Sequence, residues 1–82
     1  MMMMNFKEII EPQMYKMYEA SLFDNQTEKY EAFLAKVENS PSLENALDLL
    51  KNESISRFWR TKDETYDLET KLYVDIVGFF TN

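Results

Sequence analysis

A chain of 82 residues with 45% apolar side chains has material for one core, and is too apolar to be a disordered tail. Its net charge of −6, from 15 acidic and 9 basic side chains, disfavours a nucleic-acid backbone or an anionic membrane surface as partner. With neither cysteine nor histidine it lacks disulfides, thiol nucleophiles, the usual metal ligands and the usual general base.

Gly78 is the only glycine, and no Asn-Gly or Asp-Gly pair offers a tight hairpin turn. Strong helix formers are abundant instead. The expected fold is all-α: a small single-domain bundle of four to five short helices over residues 1–82, with residues 1–4 disordered. No basic region accompanies Met1–Met4, and Lys7, Glu8 and Glu11 follow at once, unlike a signal peptide. The longest apolar run falls far short of the ~20 residues a bilayer needs. The expectation is a protein that stays in the cytoplasm, its methionine run reflecting alternative start codons.

Asn5 and Glu8 have the spacing of a helix cap and its reciprocal partner. Phe6, Ile9, Ile10, Met14, Met17, Tyr18 and Leu22 then form a helical stripe. Pro12 interrupts it, giving either a kink or a short first turn with the main helix starting at Pro12. Asp24–Gln26 reads as a loop, and Asn25 with Glu28 repeats the capping spacing. Tyr30, Phe33, Leu34 and Val37 lie at i, i+3, i+4 and i+7, one face of a second helix that stops at Asn39 before Ser40-Pro41. Ser40 as cap, with Pro41 at the first helical position, opens a third helix carrying Leu43, Ala46, Leu47 and Leu50. Asn52-Glu53-Ser54 offers a further cap, with Ile55, Phe58 and Trp59 as a short fourth segment ending near Thr61–Asp63. Leu68, Leu72, Tyr73, Ile76, Val77 and Phe80 fit a final helix, and Asp63, Glu64 and Asp67 suit its N-terminal dipole. Leu72, Val74 and Ile76 also alternate as in a strand, but a lone strand has no pairing partner.

No catalytic, cofactor-binding or metal-binding motif emerges, and the expectation is a protein that is not an enzyme and needs no cofactor. Asp63, Glu64, Asp67 and Glu69 form the densest acidic cluster without the alternating spacing or turn glycine of a calcium loop, and read as a solvated helix face. Met14 and Met17 read as core, with an adaptable groove as the alternative. Ser56–Lys62 stands apart, holding the only tryptophan and both arginines of an acidic chain. Trp and Arg are the residues most enriched at binding hot spots. The segment has two readings: a contact surface centred on Arg57, Trp59 and Arg60, or a core Trp59 flanked by arginines paired to nearby carboxylates. Phe58 and Trp59 cannot both face inward. Phe79 and Phe80 are the second candidate, either capping the core or docking elsewhere.

The length of 82, the acidic Lys/Glu-rich character and Met-Asn-Phe-Lys-Glu at residues 4–8 resemble the accessory lysis-inhibition (rapid-lysis III) proteins of T-even phages. The resemblance implies an antiholin in the host cytoplasm that binds the cytoplasmic N-terminal part of the holin and delays lysis. It assigns no functional residues. The residues themselves leave three classes open: a regulator bound to another protein, an anti-defence inhibitor of a host enzyme, or a self-associating assembly module. Seven interspersed lysines argue against mimicry of nucleic acid.

Overall fold

The computed structural model describes residues 5–81; the methionine run, expected to be disordered, lies outside that range. Five α-helices follow one another: α1 (Phe6–Ile9), α2 (Pro12–Met17), α3 (Thr27–Glu38), α4 (Leu43–Arg57) and α5 (Asp63–Thr81). No strand occurs among the described residues, and the ambiguous C-terminal segment is the longest helix. The fold is the small all-α bundle that glycine scarcity and the apolar stripes predict.

Pro12 stands at the start of α2, so α1 is a single separate turn rather than the first half of a kinked helix. Past Met17 the backbone widens into a π-helical turn over Tyr18–Leu22, where the Phe23 amide donates to the Tyr18 carbonyl. Asn25 does not cap α3. It and Asp24 take left-handed backbone angles (φ 61 and 52) and make the turn, while Gln26 occupies the cap position. The third helix also starts later than its sequence suggests. The Ser42 hydroxyl accepts the Asn45 amide at 3.2 Å, whereas the Ser40 hydroxyl donates back to the Lys36 carbonyl and closes α3. Pro41 lies in the link.

No break occurs at Asn52-Glu53-Ser54. Ser54 turns inward and donates to Glu69, so its hydroxyl is used across the helix interface rather than as a cap. α4 instead runs to Arg57 and ends at Phe58, whose left-handed backbone (φ 60, ψ 36) carries its amide back to the Ser54 and Ile55 carbonyls. A 3₁₀ turn, Trp59–Thr61, leads into α5.

The core follows the stripes. Tyr30, Phe33, Leu34 and Val37 of α3 are all buried, as are Leu68, Leu72 and Ile76 of α5. Phe6, Tyr18, Leu22 and Phe23 pack from the N-terminal segments, with Ala46 and Leu50 from α4. Of the residues on the predicted stripes, Met17, Ile55, Phe58 and Tyr73 are exposed instead.

Candidate functional site

The corner between α4 and α5 carries the segment that composition singles out, and it separates the two readings of that segment. Trp59 is 2% exposed; its indole N–H donates to the Leu22 carbonyl at 2.8 Å and its ring meets Phe23 edge-on at 5.5 Å. It is core, not contact surface. A buried indole needs one acceptor, and the π turn leaves a carbonyl for it. Thr65 fastens the same spot by donating to the Trp59 carbonyl.

Arg57 is held on three sides. Its Nε meets Glu53 Oε2 at 2.7 Å, its guanidinium lies 4.6 Å from the Phe23 ring centre, and Nη1 reaches Gln26. Arg60 pairs with Glu69 at 3.1 Å, and Glu69 Oε1 also accepts the buried Ser54 hydroxyl at 2.5 Å. The hydrogen bonds that Arg60 donates to Glu69, with the carboxylate's charge, hold its guanidinium above its ordinary pKa. Both arginines thus answer to carboxylates of the same chain, and Glu69 leaves the solvated acidic face to which its sequence position assigned it. Among the described residues, no three His, Cys, Asp or Glu side chains stand together as a metal site requires.

What the corner offers to solvent is Phe58, 69% exposed, with Ile55 beside it at 59%. The placement follows from the backbone: ending α4 in the left-handed region sends Trp59 inward and its neighbour out. Phe79 and Phe80 are half-buried. Phe79 meets Phe6 edge-on at 5.4 Å and Phe80 at 5.2 Å, so the pair caps the core.

The surface carries two grooves of note. One, of about 330 Å³, lies between α3 and α4, with Phe33 and Leu49 at its floor and Lys29, Lys36 and Arg57 around it. Sequence reading missed it because its cations come from separate segments; the available signal was Lys29 and Lys36, two helical turns apart on one face of α3. The other lies between the N-terminal segments and α5, lined by Ile9, Met14 and Val74. Met14 therefore borders a groove. There the Tyr18 hydroxyl donates to Asp75 Oδ2 at 2.7 Å. Burial pushes the Asp75 carboxyl above the usual carboxylate range, with Glu11 adding to the rise and the Tyr18 hydrogen bond opposing it. Burial, then Asp75, pushes the Tyr18 phenol far above its ordinary value.

Residues 7–72 match the model of a family described as a domain of unknown function, DUF8457. The chain belongs to that family. Its span takes in the Phe58 corner and the α3–α4 cleft, and stops short of Phe79 and Phe80. No curated protein and no solved structure matches the chain. Among the described residues no helix is long and apolar enough to cross a membrane.

Proposed function

We propose that the protein is a non-enzymatic regulator that acts by binding another protein through the Phe58 corner. The observation that carries this reading is the corner's construction. A large aromatic side chain stands 69% exposed on a left-handed backbone, a position where glycine is the favoured residue. Strained backbone of this kind persists where the surrounding structure over-determines it, and such positions cluster at functional sites. Ile55 widens the apolar surface, and the paired Arg60 stands at its edge with its side chain more than half exposed. A rigid aromatic anchor with a polar rim is the usual anatomy of a binding hot spot.

The most concrete form of this function is that of a phage accessory protein in the host cytoplasm, an antiholin that holds the cytoplasmic N-terminal part of the holin. The resemblance at residues 4–8 supports it, as does the small size of a domain built for stoichiometric binding. Mimicry of nucleic acid is disfavoured by Lys29, Lys36 and Arg57, which interrupt the acidic surface on one side.

Titration of a peptide comprising the holin's cytoplasmic N-terminal segment tests the proposal. Binding to wild type and a loss of about 2 kcal/mol or more in Phe58→Ala, with the fold intact by circular dichroism, is the expected result. A peptide that does not bind wild type removes the antiholin form. Equal binding by a folded Phe58→Ala variant removes the corner.

A further inference from the structure

We infer that the cleft between α3 and α4 is a docking site for a helical segment of a partner protein that carries two carboxylates about two turns apart with an apolar side chain between them. The inference rests on the reading that the protein acts by binding another protein, but on a surface separate from Phe58.

Charge complementarity is the first argument. In a chain of net charge −6, the cleft's lining holds Lys29, Lys36 and Arg57 against the single carboxylate of Glu53. Glu53 is taken by Arg57 at 2.7 Å, which leaves the two lysines to set the cleft's sign. Among the described residues neither lysine has a carboxylate within ion-pair distance. Acidic partners are repelled by most of this molecule and attracted here, which is how local complementarity selects a register.

Spacing is the second argument. Lys29 and Lys36 stand two turns apart on α3, about 10.5 Å along the axis at 1.5 Å per residue. A partner helix lying along α3 matches them with carboxylates at the same interval, and its intervening apolar side chain meets the half-buried Leu49. The arrangement is that of a helix laid in a groove. Arg57, held by Glu53 and stacked on Phe23, is already ordered and loses little freedom on binding. The apolar floor asks for a side chain rather than a free anion. Phe33 is 3% exposed and presents no ring face for a nucleobase to stack on.

The test uses a designed Ala-rich peptide helix of about 15 residues, with two Glu two turns apart and Leu between them. Wild-type protein should bind it with shifts of the Leu49 methyl resonances. Lys29→Gln/Lys36→Gln should weaken binding by about tenfold or more, while Lys16→Gln/Lys71→Gln, the same charge change on other faces, should leave it within about twofold. A peptide with Gln in place of Glu should bind as weakly as the first double variant shows. Equal weakening by both double variants would mean that net charge alone is read, and would overturn the inference. Binding without Leu49 shifts, or tighter binding of single-stranded oligothymidylate at the same residues, would do the same. Concentration-dependent Leu49 shifts without peptide would assign the cleft to a second copy of the chain and also overturn it. Loss of this cleft would leave holin-segment binding at Phe58 untouched, and the reverse, so the two failures are distinguishable.

Discussion

Replacing Phe58 by glycine and, separately, by alanine exposes the conflict between stability and exposure at the corner. Both substitutions delete the same side chain. With the residue 69% exposed, only about a third of a Phe burial is lost, on the order of 0.5–1 kcal/mol when full burial is worth about 1.5–3 kcal/mol. The backbone separates them. Alanine must still hold φ 60, ψ 36, at a cost of roughly 1–2 kcal/mol for a residue with a Cβ, and glycine holds it freely. Glycine gives back part of that advantage through its greater freedom in the unfolded chain. The net expectation is that Phe58→Gly is more stable than Phe58→Ala by about 1 kcal/mol, the reverse of their order inside a helix. In a domain of this size that difference separates the melting temperatures by about 4–8 °C. Thermal melts followed by circular dichroism at 222 nm read it directly. If Phe58→Ala melts at or above Phe58→Gly, the left-handed end of α4 is wrong, and the argument from strain to binding falls with it.

Trp59 emits from within the core, so its fluorescence should be blue-shifted and shielded from iodide until the chain unfolds, and ready quenching of the folded protein would contradict its burial. Trp59→Ala should cost about 3–5 kcal/mol, a large share of the roughly 4–12 kcal/mol such a domain holds. Burial raises the Asp75 pKa in the folded chain, so the folded state binds that proton more tightly and Asp75's contribution to stability falls as pH rises through the folded value. Asp75→Asn keeps an acceptor for the Tyr18 hydroxyl; it should melt above wild type near pH 7 and lose that advantage near pH 3, and a lower melt near pH 7 would refute the assignment. Glu69→Leu removes the acceptor of the buried Ser54 hydroxyl and should destabilise by about 1–3 kcal/mol in urea titrations. Adding Ser54→Ala should recover part of that loss, whereas strictly additive losses would mean that the two side chains do not act as a pair.

The legible parts of this fold are those where one periodicity had no rival. α3 could be read because Tyr30, Phe33, Leu34 and Val37 share one face, and all four are buried. The start of α4 was harder, since Ser40 and Ser42 are both good caps and only the backbone decides between them. Ser54 looked like a cap because the sequence does not show Glu69 waiting across the interface, fifteen residues on. The segment from Arg57 to Lys62 was legible as unusual, but its chemistry divides by direction: Trp59 inward, the arginines to Glu53 and Glu69, and Phe58 outward. Phe58 was legible only as one of a pair that cannot both face inward; its left-handed backbone gave no signal, because a residue closing a helix that way is ordinarily announced by glycine. The α3–α4 cleft joins residues of two helices and exists only once they pack.

Photo-crosslinking in the native host tests the central claim most directly. A benzoylphenylalanine residue replaces Phe58 in one variant and Glu44, exposed near the far end of α4, in another. Under illumination the variant substituted at Phe58 is predicted to form one discrete adduct with a partner protein, and the variant substituted at Glu44 none. No adduct from the Phe58 position, or the same adduct from both, would contradict a function exercised through the Phe58 corner.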